Sequence, residues 1–234
     1  MRQQCHVLYY LILSTIGAAL IIILSWLESS KTNNILVIEK QVIGGVFIIS
    51  CIFGIIFALK PNRMQRSIKR ISLNADKPQP SPEKIEYQGH HPDCEPFRNH
   101  TITIQNKIYC AGCNGLALGS IISILLMSVY IVFPKEISQP FLYLFIILGM
   151  VLIVLNFIEI VIPTKNAYLH LILNVLLVIS FFLIITGIFH LTGSMVYGIS
   201  GILLSFLWLD TRIQLSNWRH TSICNNCSES CKAY

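Results

Sequence analysis

Residues 90–115 of this chain read HHPDCEPFRNHTITIQNKIYCAGCNG. Two residues separate His91 from Cys94, two separate Cys110 from Cys113, and fifteen lie between the pairs. Two pairs of soft or borderline ligands at this spacing are typical of a four-ligand zinc site. The sequence therefore predicts a small zinc-binding module at residues 89–114.

The residues between the two pairs favour a β-hairpin. The runs 101–104 and 107–110 are rich in β-branched and aromatic residues and flank a polar turn at 105–106. A hairpin would carry the second cysteine pair back toward the first. We expect Gly112 and Gly115 to adopt positive φ, the conformation in which a backbone curls around a metal ion.

The ligand set has an alternative at one position, because His100 competes with His91. The four ligands would then be Cys94, His100, Cys110 and Cys113. The competing interpretation of the motif is a disulfide or two unrelated thiols.

The same residues resemble a known family. The run from Cys94 through the sequence YCAGCNG at 109–115 to Gly119, entering a hydrophobic helix, is similar to the signature of prokaryotic multi-pass membrane proteins catalogued as domain of unknown function 2085. The opening HHPDC resembles the archaeal members, whereas many members have Arg where this chain has Gly112. A weaker similarity lies at Asp210 and Gln214. The resemblance implies a multi-pass architecture and no particular chemistry, since the family has no established activity.

The composition indicates an integral membrane protein. Of 234 residues, 54% are hydrophobic and 12% are charged, whereas a soluble domain carries about 25% charged residues. The formal net charge is +6. Its basic residues lie beside the apolar segments, where they set topology and contact anionic lipid headgroups, so no nucleic-acid partner is expected.

Six apolar segments are long enough to cross a bilayer, which requires about 20 residues of helix. They are residues 7–27, 42–59, 115–133, 141–162, 167–189 and 193–209. The predicted fold is an all-α membrane protein of six transmembrane helices with a small zinc-ribbon-like cytoplasmic insertion. Gly115 and Gly119 form a G-x-x-x-G pair that favours close helix contact.

The segments divide the chain into five regions. These are transmembrane helices 1 and 2 at 1–60, a basic juxtamembrane segment and Pro-rich linker at 61–88, the module at 89–114, transmembrane helices 3 to 6 at 115–210, and a Cys-rich tail at 211–234. Basic residues alternate with apolar ones at 60–71, a pattern that predicts an interfacial helix.

The distribution of basic residues predicts the topology. Fourteen of the 17 Lys and Arg residues fall on one side of the membrane, and Lys31, Lys40 and Lys135 fall on the other. The positive-inside rule then places both termini and the module on the cytoplasmic side of the plasma membrane. Cytosolic thiols are kept reduced, which favours metal ligation over structural disulfides.

The tail carries a second cluster of soft or borderline ligands. It consists of His220, Cys224, Cys227 and Cys231 within twelve residues. The cluster could form a second zinc site, hold an iron–sulfur cluster through its three cysteines, or lend a ligand to the first module. The competing interpretation is a flexible tail with incidental thiols.

Polar residues also occur inside the predicted spans. Asn156 and Glu159 share one face of the fourth span, and His170 and Asn174 share one face of the fifth. A short connection joins these spans, so Glu159 and His170 are expected to meet across it. Such a cluster is a functional site or hydrogen-bonded structural glue.

No nucleophile elbow, Walker loop or HExxH motif occurs in the sequence, so enzymatic activity stays undecided. The first functional hypothesis is a metal-folded module that caps the bundle or docks a cytoplasmic protein. The second is a membrane thiol–disulfide oxidoreductase that uses the C-x-x-C pairs. The third is a transporter of a small solute or ion through the intramembrane cluster.

Overall fold

A computed structural model describes residues 2–28, 36–59, 87–88, 100–104, 107–132, 137–162 and 166–225. The described elements, in chain order, are α1 (Arg2–Glu28), α2 (Val37–Leu59), β1 (Tyr87–Gln88), β2 (Thr101–Ile104), β3 (Lys107–Cys110), α3 (Ala111–Val132), α4 (Gln139–Val161), α5 (Ala167–Thr192) and α6 (Met195–Asn225). All six helices are long and apolar enough to cross a membrane. The predicted multi-pass helical architecture is confirmed at this level.

The two ends of the helix bundle are named here by what lies at them. The module end is where α1, α3 and α5 begin and α6 finishes. The far end is where α2, α4 and α6 begin and α3 and α5 finish.

The turn from α5 to α6 explains why the sixth helix begins later than the sequence predicted. Gly193 adopts a left-handed conformation with φ of 59° and ψ of 21°, and its N–H donates to the Phe189 carbonyl. Glycine is the residue that accepts this conformation without strain, so α5 ends at Thr192 and α6 begins at Met195. The prediction that the sixth span begins at Gly193 is therefore wrong by two residues.

The last helix is longer than predicted. We expected the sixth span to end at residue 209 and a tail to start at 211, but α6 continues to Asn225. Beyond residue 209 the helix still buries one face, formed by Thr211, Arg212 and Leu215. Polar composition alone therefore did not mark the end of this helix.

The centre of the bundle is α5. It packs against α3, α4 and α6, while α1 packs on α6 and α2 packs on α3. Its side chains Leu177, Ile185 and Phe189 are among the largest that are fully buried. Large apolar side chains on the outer faces of the other helices are exposed, as expected for a surface that lipid covers.

The α3–α5 interface depends on two glycines. A Cβ atom at Gly115 would lie 2.5 Å from the Leu171 carbonyl oxygen, and one at Gly119 would lie 2.8 Å from the Val175 carbonyl oxygen. Both distances are shorter than a van der Waals contact, so only glycine allows this approach. The predicted close contact of the G-x-x-x-G pair is confirmed.

The described part of the module is a small sheet of strand order β1-β3-β2. The antiparallel hairpin of β2 and β3 is confirmed at its predicted boundaries, with Thr101 opposite Cys110. The strand β1 was not predicted, because residues 87–88 were assigned to the linker, yet they pair in parallel with Ile108 and Tyr109. The rest of the linker, the basic segment at 60–71 and residues 89–99 lie outside the described residues.

The expected positive φ at Gly112 and Gly115 is wrong. Both residues lie within α3, and among the described residues the glycine with positive φ is Gly193. Helix α3 begins directly after Cys110, so the second cysteine pair ends a strand and opens a helix. Both glycines instead allow close approach to neighbouring groups.

Candidate functional site

The Cys-x-x-Cys pair lies at the module end, where β3 passes into α3. Cys110 is the last residue of β3 and is buried, while Cys113 lies in the first turn of α3 and is partly exposed. Because Thr101 pairs with Cys110, the preceding residue His100 is brought to the same end of the hairpin. Three of the predicted metal ligands therefore lie within one small region.

Gly112 places this turn directly on two side chains of the bundle. A Cβ atom at Gly112 would lie 3.0 Å from Nε2 of His170 and 3.4 Å from Nη2 of Arg212. The contact joins the module to residues of α5 and α6. The module and the intramembrane polar residues, which sequence reasoning treated as separate features, form one site.

His170 is held by Glu159. Its Nδ1 lies 2.9 Å from both carboxylate oxygens of Glu159, and both residues are buried. The predicted proximity of these residues is confirmed. When Glu159 is ionised its carboxylate can only accept a hydrogen bond, and Nδ1 of His170 is then the donor; the opposite nitrogen, Nε2, faces Gly112.

The ring of His100 also reaches this pair. It meets the ring of His170 edge to face, with centroids 5.0 Å apart. The hairpin of the module is therefore in contact with α5 through a pair of imidazoles.

Asn156 and Asn174 extend the site toward the membrane interior. Asn156 Nδ2 donates to the Leu173 carbonyl at 3.1 Å, which ties α4 to α5, and Asn174 Nδ2 donates to the His170 carbonyl at 2.6 Å. The Oδ1 atoms of both are buried, and within the described part of the chain neither accepts a hydrogen bond. Asn156, Glu159 and His170 thus meet between α4 and α5, whereas Asn174 lies against Gly115 of α3.

Arg212 was not predicted as a site residue. It is 7% exposed, and within the described ranges its Nε atom has no hydrogen-bond partner. Cys113, Cys110 and Glu159 lie within electrostatic range of its guanidinium. Sequence reasoning counted Arg212 as a topology-setting charge of the tail, because the sixth span was ended three residues before it.

A polar seam between α1 and α6 supports this position of α6. The Ser14 and Thr211 hydroxyls are hydrogen-bonded at 2.5 Å, and the Tyr10 side chain lies near Asp210. The α6 residues of these contacts directly precede Arg212 in sequence, and the contacts fix the rotation of α6 about its axis. The guanidinium is thereby directed toward the cysteine pair.

The predicted metal ligands are only partly described. Among the described residues, no three His, Cys, Asp or Glu side chains are grouped so that they could hold a metal ion. His91 and Cys94 of the predicted set lie outside those residues. Cys110 and Cys113 supply two thiol donors three positions apart, which fits half of the expected tetrahedral shell.

The tail cluster is described in part. His220 is a half-buried residue of α6, and Cys224 belongs to the last turn of that helix. Cys227 and Cys231 lie outside the described residues. Whether the four form a second metal or iron–sulfur site stays a prediction.

Comparison with known proteins gives no match: neither a protein-family model, nor a curated protein, nor a solved structure is similar to this chain. The function is therefore argued from the site itself.

Proposed function

We propose that this chain is a multi-pass protein of the plasma membrane in which residues 89–114 bind zinc and cap the polar site at the module end. The ion would have a structural role, because four protein ligands close its coordination shell. Folded in this way, the module would hold the end of the bundle closed and offer a docking surface to a cytoplasmic protein. Membership of the family named above is part of this proposal.

The observation that supports the cap is the contact at Gly112. The first turn of α3 lies against His170 and Arg212, where a Cβ atom at Gly112 would be in tight contact with both side chains. The Cys-x-x-Cys turn is therefore seated on the bundle rather than extended from it. A metal ion that fixed this turn would also fix the position of the module over Glu159 and His170.

The charge of Arg212 supports zinc ligation by thiolates. Three thiolates and a neutral imidazole around Zn²⁺ carry one net negative charge. Arg212 is buried within electrostatic range of Cys110 and Cys113, and a buried negative charge is stabilised by such a cation. The guanidinium would offset the charge of the zinc centre.

The four ligands are Cys94, Cys110, Cys113 and one histidine. The ring of His100 lies against His170, so this imidazole already has a position in the cluster. His91 forms the first pair with Cys94 at the spacing of a zinc site. We therefore prefer His91 as the fourth ligand.

A second candidate function is thiol–disulfide exchange, which one observation favours. Cys113 lies in the first turn of α3, and a helix N-terminus together with a nearby cation stabilises a thiolate. Both functions need thiolates at Cys110 and Cys113. They differ in whether a metal ion or a partner disulfide occupies the sulfurs.

Metal analysis of protein purified without chelator separates the two. The protein should contain stoichiometric zinc, and Cys110→Ser should lower the content by one ion per chain and make the module sensitive to protease. Cys5→Ser, which changes an exposed cysteine of α1, is the matched control and should keep both. A protein with no zinc or iron and a protease-resistant module would favour thiol exchange.

A second ion in the tail would complicate the stoichiometry. The same measurement on a Cys227→Ser, Cys231→Ser background removes that contribution. On this background Cys110→Ser should leave no bound zinc.

A further inference from the structure

A second polar cluster lies at the far end of the bundle, where α2 begins and α3 and α5 finish. Lys40 Nζ lies 4.4 Å from the centroid of the Tyr130 ring. The rings of Tyr130 and His190 meet edge to face with centroids 5.4 Å apart, and the charge of Lys40 acts on His190. Three helices therefore bring an ammonium, a phenol and an imidazole together.

Two buried atoms of this cluster have no hydrogen-bond partner among the described residues. The Tyr130 hydroxyl and His190 Nε2 make no hydrogen bond to any residue that the structure describes, and Tyr130 is 9% exposed. Desolvated polar atoms that lack a partner destabilise a fold. Two such atoms in adjacent rings indicate a position where a group from outside the chain would be stabilised.

The depth of the cluster and its chemistry indicate what that group is. Lys40 is the fourth residue of α2, and Tyr130 and His190 each lie two residues before the end of their helix. The cluster is thus at the edge of the apolar layer, the level of lipid headgroups. Ammonium, phenol and imidazole N–H groups can all donate, so they match an anionic group with several acceptor oxygens.

We propose that Lys40, Tyr130 and His190 form a binding site for a phosphate group at the far end of the bundle. The phosphate belongs to the headgroup of an anionic lipid or is free in solution. The site is independent of the zinc-binding module, which lies at the other end.

Ligand-induced stabilisation of the purified full chain in detergent tests the site. Short-chain phosphatidylglycerol and inorganic phosphate are the probes, and diacylglycerol, which lacks phosphate, controls for the acyl chains. Saturable stabilisation by phosphatidylglycerol alone assigns the site to a lipid headgroup, and stabilisation by inorganic phosphate as well assigns it to phosphate from either source.

Variants connect the effect to the named residues. Tyr130→Phe and Lys40→Gln should each weaken binding about tenfold or more, because each removes a donor to a charged group. Tyr197→Phe changes a partly buried tyrosine in the first turn of α6, which is also at the far end of the bundle. This control should bind the phosphate probes with the original affinity. Tyr130→Phe should unfold at the original temperature without ligand, since the lost hydroxyl has no partner within the described residues.

The proposal is overturned if neither phosphate probe stabilises the protein more than diacylglycerol does. It is also overturned if Tyr130→Phe and Lys40→Gln bind both probes with unchanged affinity. In either case the cluster would only pack the helix ends together.

Discussion

Nδ1 of His170 lies 2.9 Å from both carboxylate oxygens of Glu159, across the connection that joins α4 to α5. The pair is buried under the first turn of α3, where Gly112 faces the opposite nitrogen of the same imidazole. A carboxylate that orients a histidine in this way fixes its tautomer. The same imidazole therefore contacts both Glu159 and the first turn of α3, so a change in the protonation of the pair would act directly on the packing of the module.

Glu159→Gln should change the state of His170. The amide of Gln carries no negative charge and can also donate a hydrogen bond, so it no longer fixes the Nδ1–H tautomer of His170. Nitrogen-15 NMR of labelled histidine should show a new tautomer balance and an altered titration. Glu39→Gln, at the start of α2 and the far end of the bundle, should leave His170 unchanged. Identical titration in Glu159→Gln and the original protein would show that the two groups are not coupled.

Gly115→Ala should separate α3 from α5. Its Cβ atom would lie 2.5 Å from the Leu171 carbonyl oxygen, and overpacking of this kind costs about 1–3 kcal/mol or more. Gly45→Ala is the matched control, since a Cβ atom there meets nothing within 4 Å. Thermal unfolding in detergent should show a lower transition temperature for Gly115→Ala but not for Gly45→Ala. Equal transitions would mean that the interface is looser than described.

Arg212→Met should slow alkylation of Cys110 and Cys113 in metal-free protein at neutral pH. The guanidinium is the buried cation whose charge interacts with both sulfurs, and a nearby cation raises the thiolate fraction. A decrease of about threefold to tenfold corresponds to a loss of about 0.7–1.4 kcal/mol of thiolate stabilisation. Arg219→Met, two turns later on α6, is the control. Unchanged alkylation rates would remove Arg212 from the site.

An impermeant thiol reagent applied to intact cells tests the orientation. Cys5 is exposed at the module end of α1, which the positive-inside rule places in the cytoplasm, so it should not react. Leu36→Cys, at the exposed position directly before α2 on the far side, should react readily. Reaction of Cys5 with no reaction at position 36 would invert the topology and favour disulfide chemistry at the module.

Local patterns were sufficient to predict the elements that depend on local sequence. The hairpin of β2 and β3 follows from two β-prone runs around a polar turn, and its boundaries match the sheet register. The six helices follow from apolar length. The Glu159–His170 contact could be predicted because a short connection brings equal depths together.

The features that sequence reasoning missed depend on tertiary contacts. Arg212 looked like a tail residue because polar composition begins at Asp210, yet α6 continues with one face packed on α1 and α5. The sequence suggested that Gly112 and Gly115 are turn glycines. The structure shows that glycine is needed at these positions because α5 lies close to them, and not because of a local φ requirement. The strand β1 has two residues and pairs with a strand twenty residues later, so no local pattern reveals it.

X-ray absorption at the zinc edge of the purified, chelator-free protein, on the Cys227→Ser, Cys231→Ser background that removes any tail site, is the most direct test of the proposed zinc-bound cap. The predicted shell contains three sulfur atoms at about 2.3 Å and one histidine nitrogen at about 2.0 Å. In Cys110→Ser the sulfur signal should be lost together with the ion. A protein without bound metal, or a metal shell that keeps its sulfur ligands in Cys110→Ser, would contradict the account.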